Sequence, residues 1–407
     1  MRSQRGLGRY LGALIGPMVL AGLLIGLSPA APVPACQTWT AVPPLNPGTQ
    51  DNELESVNVL SGSDAWAVGV SHDSGPEQTL TEHWDGSSWS VAPSPDPGGG
   101  NNFLFAVRAA SPVSVWAVGS FEDTSGLKVV TKSLILHWDG IRWSQAKSPS
   151  PGNAFNGLNA VRAVSANDVW AVGSFSNGAG SRSLTLHWNG TAWKRVSSPS
   201  PAVVNNLNWV TSTSPADVWA VGELSNTNNL TGAALRPGMH IAARAEPRTF
   251  IVHWDGTRWS QVKSPSPGNL DFLEGVGATS TSNAWAVGIT SANDTADQTL
   301  ILHWNGTAWK RVTSPDPAGR HSDNDLFGVA ITATNTAWAV GSVDDTNNAQ
   351  HALLLRWDGT SWQQAQIPPS GDRSGLSGVG ASSSGNAWAV GTDVSGTTGQ
   401  TLALHCS

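Results

Sequence analysis

The tetrapeptide Trp-Ala-Val-Gly occurs seven times along the chain, and this repetition constrains the fold more than any other feature. The copies begin at Trp66, Trp116, Trp170, Trp219, Trp285, Trp338 and Trp388, at intervals of 50, 54, 49, 66, 53 and 50 residues. Self-similarity at such a period is typical of architectures in which each unit buries its apolar face against the next unit. The chain is therefore expected to be a protein of seven similar structural repeats.

Each repeat has the pattern of four short strands. A Leu-x-x-Val segment such as Leu104 to Val107 is followed by the Trp-Ala-Val-Gly strand, a third strand such as Ser133 to Trp138, and a fourth strand that ends in Ser-Pro. No helical period follows the first 35 residues. Only 13% of the 407 residues are charged, and Gly (44), Pro (25) and Trp (21) are abundant, which excludes a disordered chain or a coiled coil. The pattern predicts an all-β, seven-bladed propeller with four-stranded blades.

An Asp-Gly or Asn-Gly pair separates the third and fourth strands of each complete repeat. It stands at Asp85-Gly86, Asp139-Gly140, Asn189-Gly190, Asp255-Gly256, Asn305-Gly306 and Asp358-Gly359. This pair predicts a two-residue type I′ hairpin turn. In that register Trp84 and Trp89 lie on the same face, diagonally opposed, where they can pack against a neighbouring blade.

The two termini complete the last blade in this interpretation. The seventh repeat stops after its third strand, at residues 401–407, and an isolated fourth strand stands at Trp39 to Pro43. The two cysteines, Cys36 and Cys406, flank this gap, and in an exported protein they are expected to form a disulfide. An alternative interpretation places Cys36 in a lipoprotein box as an acylated residue.

The first 35 residues have the pattern of a secretory signal peptide. Arg2, Arg5 and Arg9 precede an apolar run, and small residues follow it, with cleavage expected after Ala30 or Ala35. An uncleaved anchor is the alternative. The domain division is then a leader over 1–35 and a propeller over 36–407, secreted or held at the cell surface and not spanning the membrane once the leader is removed.

Charge argues against nucleic acid as a partner. Without the three leader arginines the chain has 19 basic and 29 acidic residues, a formal charge of −10. No basic stripe is present to neutralise phosphates. The sequence does not indicate an oligomeric state.

The repeats resemble kelch repeats and the propeller of the galactose-oxidase-like group. The stretch DVWAVG…LTLHWNGTAWKRVSSPSP, from Asp168 to Pro201, carries the resemblance, and similar units cover about residues 36 to 407. A kelch repeat usually has a Gly-Gly doublet where this chain has one Gly, as at Gly119 and Gly173. The resemblance implies the propeller architecture. It implies no oxidase, because the copper-radical enzymes of that group need a Tyr ligand and a Tyr–Cys crosslink, and the single Tyr is Tyr10 in the leader. No cofactor or metal is predicted.

Six of the ten histidines occupy one repeat position in the third strand. They are His83, His137, His187, His253, His303 and His405. One His per blade leaves neighbours too far apart to share an ion, so we expect each one to make a structural hydrogen bond to an adjacent turn or blade.

A polar residue stands fourteen positions before each Trp-Ala-Val-Gly tryptophan. These residues, called here the Asx ring, are Asn52, Asn102, Asn156, Asn205, Asp271, Asn324 and Ser374. They begin the strand expected to be innermost, on the face where the 2–3 loops and 4–1 connections vary most. Variable loops on a rigid frame commonly carry binding. Two hypotheses stand side by side for this ring: ligand binding by a circle of amides, and capping of the loops.

Two irregularities break the repetition. Trp209 occupies a first-strand position held elsewhere by Ser, Ala or Gly, where it would place one aromatic platform in the channel or add packing between blades. The fourth repeat contains an added segment, about Leu230 to Arg248, which carries Arg236, His240, Arg244 and Arg248. That segment is expected to be a solvated surface loop, and the alternatives are a lid over the channel or a loop that contacts an anionic partner.

Together these features favour an exported, non-catalytic binding module whose partner is a carbohydrate or an extracellular protein. Carbohydrate is favoured, through polar loops and aromatic residues on one face. A protein-interaction or cell-surface scaffold is the first alternative, and a polysaccharide hydrolase or lyase is the second. No residue is predicted to be catalytic.

Overall fold

A computed structural model describes residues 36, 38–227, 246–292, 296–333, 335–347 and 349–407. In these ranges the chain forms seven four-stranded antiparallel sheets. Six sheets take consecutive strands in chain order, and the seventh combines the N-terminal strand with the last three strands. The predicted seven-bladed β-propeller is confirmed.

The strands have equivalent positions in every blade. The first strands are β2 Asn52–Ser61, β6 Asn102–Ser111, β10 Phe155–Ser165, β14 Val204–Ser214, β18 Leu270–Ser280, β22 Asn324–Ala333 and β26 Arg373–Ser383. The second strands are β3 Asp64–Ser71, β7 Ser114–Asp123, β11 Asp168–Ser176, β15 Asp217–Ser225, β19 Asn283–Ser291, β23 Thr336–Asp344 and β27 Asn386–Ser395. The third strands are β4 Gln78–Trp84, β8 Val130–Trp138, β12 Arg182–Trp188, β16 Arg248–Trp254, β20 Gln298–Trp304, β24 Gln350–Trp357 and β28 Thr398–Cys406. The fourth strands are β5 Trp89–Val91, β9 Trp143–Gln145, β13 Trp193–Val196, β17 Trp259–Val262, β21 Trp309–Val312, β25 Trp362–Gln364 and, for the seventh blade, β1 Thr40–Ala41.

The first strands are innermost. Each packs against the first strands of both neighbouring blades, and the circle closes where β26 meets β2. We call the side where these strands begin the loop face, because it carries the 2–3 loops and 4–1 connections. The opposite side, with the 1–2 and 3–4 turns, is the turn face.

The glycine of each Trp-Ala-Val-Gly motif is required by close approach of two strands. A Cβ on Gly119, for example, would collide with the carbonyl oxygen of Phe103 on the paired first strand. The same collision would occur at the corresponding glycine of every other blade. Glycine therefore permits the first and second strands to pair at this point.

Tryptophan clusters join each blade to the next. Trp66 of the first blade lies 4.9 Å from Trp138 and 5.2 Å from Trp143 of the second blade, measured between ring centroids, and the second contact is T-shaped. Trp388 of the seventh blade makes the same contacts with Trp84 and Trp89 of the first blade. Offset and edge-to-face contacts are the preferred geometries for aromatic pairs. The prediction of paired tryptophans packing between blades is confirmed.

The histidine at the repeated third-strand position fixes the turn beside each cluster. His187 Nε2 lies 2.8 Å from Asp168 Oδ1, and the His187 ring stacks on Trp170 at 4.3 Å. The other five histidines bond the equivalent Asp, Asn or Ser residue, which is Asp64, Ser114, Asp217, Asn283 or Asn386. The structural role predicted for these histidines is confirmed.

The hairpin turn differs from the two-residue prediction. Residues 85–88 form a four-residue loop in which Asp85 Oδ1 accepts hydrogen bonds from the backbone N–H groups of Ser87 (2.8 Å) and Ser88 (2.9 Å). Gly86 adopts φ = 100°, which suits glycine. Trp84 and Trp89 are consequently direct partners in the register and not diagonal ones. The prediction of turn length was wrong because the Asp carboxylate caps the following N–H groups and stabilises a longer turn.

The disulfide closes the ring as predicted. Cys36 and Cys406 are bonded, with their Cα atoms 5.8 Å apart and a sequence separation of 370. The Cys36 N–H donates to the carbonyl oxygen of Ser384 at 2.9 Å, in the 1–2 turn of the seventh blade. Within the described ranges, no helix has the length and apolar character needed to cross a membrane.

Reduction of this disulfide is expected to lower the thermal stability without abolishing the fold. The crosslink restricts a very long loop in the unfolded chain, and its loss is expected to cost about 2–5 kcal/mol. Differential scanning calorimetry with and without reductant, and of a Cys36→Ser, Cys406→Ser variant, measures the effect. Far-ultraviolet circular dichroism at 25 °C should retain the β signal. A melting temperature that reductant leaves unchanged would contradict the closure.

Candidate binding site in the central channel

The Asx ring lies at the start of the innermost strands, as predicted, but its polar groups are engaged within the loops. All seven side chains are between 0% and 2% exposed. Asn156 Oδ1 accepts from the Gly152 N–H at 2.6 Å, and its Nδ2 donates to the carbonyl oxygens of Gly152 (2.9 Å) and Thr131 (3.0 Å). The other members bond nearby loop groups, with Asn52 on Gly48, Asn102 on Gly98 and Gly100, Asn205 on Ala202 and Ser181, Asp271 on Gly268 and Thr290, Asn324 on Ala318 and Gly319, and Ser374 on Ala352 and Ser370.

These bonds fix the 4–1 connections of the loop face. Each amide or carboxyl satisfies backbone groups that would otherwise be buried without a partner. Direct contact of the Asx ring with a ligand stays a prediction. The geometry of the described residues assigns the ring a part in holding the loops.

Trp209 lines the central channel. It is 6% exposed, and it lines a central cavity together with residues from the neighbouring first strands. The guanidinium carbon of Arg108 lies 5.2 Å from the centre of the Trp209 ring. This arrangement makes Trp209 a wall of the channel with a cation on one side.

The added segment of the fourth repeat lies mostly outside the described residues. Arg236, His240 and Arg244 fall between 228 and 245 and have no described position. Arg248 is the exposed first residue of β16. Burial raises the pKa of Asp271, and the positive charge of Arg248 partly opposes this shift. The interpretation of this segment as a partner-binding loop stays a prediction.

A buried carboxyl and amide cluster lies near the start of the innermost strand of the fourth blade. Glu223 of β15 is 2% exposed; its Oε1 accepts from Asn206 Nδ2 at 2.6 Å and its Oε2 accepts from Asn208 Nδ2 at 2.8 Å. Asn208 also donates to the carbonyl oxygen of Leu273 in the next blade, at 3.2 Å. The cluster therefore crosses the boundary between the fourth and fifth blades.

Two further carboxyl groups on the next two first strands extend this cluster. Glu274 of β18 and Asp325 of β22 are each 7% exposed. Burial, together with the charges of Glu223 and Asp325, raises the pKa of Glu274 well above its usual range. Burial and the charges of neighbouring aspartates raise the pKa of Asp325 to about 8. Carboxyl groups with raised pKa values in a cleft are a common feature of functional sites.

Sequence reasoning did not identify this cluster. Glu223 directly follows the glycine of its Trp-Ala-Val-Gly motif, a position that holds Val, Ser, Ile or Thr in the other blades. This single carboxyl at an otherwise uncharged position was the sequence signal that could have identified the cluster. No group of three or more His, Cys, Asp or Glu residues in the described ranges has the geometry of a metal site.

Similar folds occur among solved structures, with low sequence identity. The chain superposes on YCF48 from Cyanidioschyzon merolae with a TM-score of 0.52 and 14% identity, covering 91% of this chain and 98% of that one. A protein of unknown function from Dyadobacter fermentans gives a TM-score of 0.51 and 10% identity, with 91% and 98% coverage. An ulvan lyase of polysaccharide lyase family PL25 gives 0.55 and 10% identity, with 90% and 94% coverage.

These similarities establish the propeller architecture. No protein-family profile matches the chain. No curated protein matches it by sequence. The kelch-type resemblance accordingly remains a prediction from the sequence, while the seven-bladed ring is observed.

Removal of one Asx-ring amide is expected to destabilise the fold. Asn156→Ala leaves the buried Gly152 N–H and two carbonyl groups without their partner, which should cost about 1–3 kcal/mol of unfolding free energy. Urea unfolding followed by tryptophan fluorescence measures this change. Asn153→Ala, at an exposed position of the same loop, is the control and should change stability little. Equal stability of the Asn156→Ala variant and the unsubstituted protein would contradict the loop-holding role.

The free energy of unfolding is expected to fall as the pH rises from about 5 to above 8. Burial raises the pKa of Glu82 to about 7 and, with nearby charges, that of Asp325 to about 8, whereas the unfolded values are 4.5 and 3.8. Between those limits the folded chain holds protons that the unfolded chain has released, so a higher pH favours unfolding. Chemical unfolding at pH 5, 6, 7 and 8 measures the slope.

A Glu82→Gln, Asp325→Asn variant should flatten this pH dependence. Asp85→Asn is the control, because Asp85 is exposed and turn hydrogen bonds lower its pKa to about 2, outside this pH window. An equal pH dependence in this variant and in the unsubstituted protein would show that these carboxyl groups are ionised in the folded protein.

Proposed function

We propose that this chain is an exported, non-catalytic propeller that binds carbohydrate at the loop-face end of its central channel. The observation that carries the proposal is the Glu223 carboxyl with its two amide partners, Asn206 and Asn208, at 2.6 and 2.8 Å. Sugar hydroxyls both donate and accept hydrogen bonds, and a carboxyl beside two amides offers both functions in a small space.

Aromatic side chains on the same halves of the innermost strands support this ligand class. Phe103 and Phe105 of β6 stack with centroids 5.9 Å apart, and Phe272 of β18 and Phe327 of β22 are half-buried. Apolar faces with a few placed polar groups are the usual composition of small-molecule sites. The C–H faces of a sugar ring can pack against the aromatic side chains, and its hydroxyl groups can bond the polar groups.

Export is part of the proposal. The Cys36–Cys406 disulfide supports an oxidising compartment, since such bonds persist outside the cytosol. The leader pattern over residues 1–35 supports the same location. The propeller fold is compatible with polysaccharide as a ligand, because a lyase that acts on the polysaccharide ulvan has a similar fold. The choice of ligand class rests on the residues of this chain.

The proposal is tested on a glycan and polysaccharide array with protein that is expressed from the full-length sequence and has its disulfide formed. Selective binding is expected. Asn208→Ala should lower the affinity about tenfold or more, because it removes the hydrogen bond that Asn208 donates to the Glu223 carboxyl. Asn167→Ala is the matched control, because this exposed asparagine lies in a 1–2 turn on the opposite face. Trp209→Ala tests the channel wall in the same assay.

The array also separates the alternatives. No binding by folded protein to any glycan would reject the carbohydrate proposal and favour an extracellular protein as partner, to be sought by crosslinking at the cell surface. Full binding without Trp209 would remove that residue from the site.

A polysaccharide hydrolase or lyase is the second candidate, and the raised pKa of Glu274 beside Glu223 favours it. A carboxyl that keeps its proton near neutral pH can act as a general acid. Release of reducing ends or unsaturated products from a bound polysaccharide, lost in Glu274→Gln, would establish catalysis and reject the non-catalytic function.

A further inference from the structure

A second site lies in the turn-face half of the channel. A cavity of ≈ 150 Å³ is lined there by residues near the ends of the innermost strands, with Trp209 as its wall toward the loop face. Thr211 lines this cavity, whereas Asn208 of the same strand belongs to the carboxyl cluster on the other side of Trp209. The two sites are therefore distinct.

Two arginines on neighbouring blades line this cavity from equivalent strand positions. Arg108 of β6 and Arg162 of β10 each stand six residues after an Asx-ring asparagine. The corresponding residues of the other blades are Asn58, Thr211, Gly277, Ala330 and Gly380. Positive charge is thus concentrated on one side of the channel, while the opposite side has small uncharged residues.

Two backbone carbonyl groups hold the guanidinium of Arg108 in place. Its Nη1 donates to the carbonyl oxygens of Val57 in the first blade (3.2 Å) and of Val107 (2.7 Å). The guanidinium also lies over the Trp209 ring of the fourth blade, at a distance typical of a cation–π contact. Among the described residues, Arg108 Nε and Nη2 have no hydrogen-bond acceptor.

Arg162 is held in a similar way and also retains free donors. Its Nε donates to Ser212 Oγ at 3.0 Å and its Nη2 donates to the Ser212 carbonyl oxygen at 3.1 Å. Its Nη1 has no acceptor among the described residues. Two oriented guanidinium groups therefore present unused N–H donors to one cavity, and an oxyanion is the ligand that such donors bind best.

Neither arginine has an ion-pair partner among the described residues. Burial and the repulsion from Arg162 lower the pKa of Arg108 to about 9, and burial lowers the pKa of Arg162. Both side chains are half-buried in the lining of the cavity, where an anion can reach them. A bound anion would compensate their charge and reduce their mutual repulsion.

We infer that this cavity binds a single oxyanion group through the unused N–H donors of Arg108 and Arg162. Its volume suits one carboxylate, sulfate or phosphate group, free or at the end of a small molecule, and does not suit a polymer threaded through the channel. Asn58, whose Oδ1 accepts from the Ala109 N–H at 2.8 Å, lines the same cavity and orients its amide group beside the pair. The inference does not depend on carbohydrate binding at the loop face.

Isothermal titration with inorganic ions tests this inference. The protein, expressed from the full-length sequence with its disulfide formed, is titrated with sodium sulfate, sodium phosphate and sodium acetate at constant ionic strength. At least one of the three anions is expected to bind saturably at a 1:1 ratio. The ranking of the three ions distinguishes a tetrahedral from a planar oxyanion. The bound ion should also raise the melting temperature in proportion to the logarithm of its concentration.

Arg162→Gln is expected to weaken ion binding by about tenfold or more, because it removes a charge-assisted hydrogen bond. Arg258→Gln, at a position whose side chain is 80% exposed, is the matched control and should leave binding unchanged.

Two results would overturn the inference. One is the absence of saturable binding for all three ions with folded protein. The other is unchanged affinity in Arg162→Gln. If that variant does not fold, Arg162→Lys replaces it: this change keeps the charge but loses the planar donor geometry, so its affinity should still fall, and unchanged affinity would equally overturn the inference.

Discussion

Contact between tryptophans of adjacent blades is the interaction on which this structure depends. Each blade is a small four-stranded sheet that cannot bury both faces alone, and the second-strand tryptophan of one blade fills the space between the two hairpin tryptophans of the next. The junction between the sixth and seventh blades is different, because Trp338 packs in a cluster with Trp39 and Cys406. The disulfide stands where the other junctions have an aromatic ring, so a covalent bond replaces lost packing at the point where the ring closes.

The repeats made the architecture predictable, because a motif copied seven times reports the same local structure seven times. The histidine bonds and the disulfide followed for the same reason, since both occupy fixed positions relative to Trp-Ala-Val-Gly. The length of the hairpin turn could not be predicted from the repeats. Asp-Gly is compatible with two hairpin types, and the choice depends on whether the Asp85 carboxylate bonds the Ser87 and Ser88 N–H groups, which the residue pair alone does not determine.

The channel sites were harder to predict because they consist of differences between repeats. Glu223 lies on a second strand and Glu274 on the first strand of the next blade, so their proximity arises from the rotation between blades and not from spacing along the chain. Arg108 donates to a carbonyl group of the neighbouring first blade and lies over Trp209 of the fourth blade, which no comparison of aligned repeats reveals. Sequence repetition describes the frame, whereas the function proposed here depends on positions where the repetition fails.

The closing disulfide also makes most of the propeller chain a covalent circle. Cys36 and Cys406 are bonded across a sequence separation of 370, so the described strands lie within one closed loop. A single proteolytic cut in any loop between the two cysteines would therefore leave both fragments joined. The blades on either side of such a cut would remain parts of one molecule.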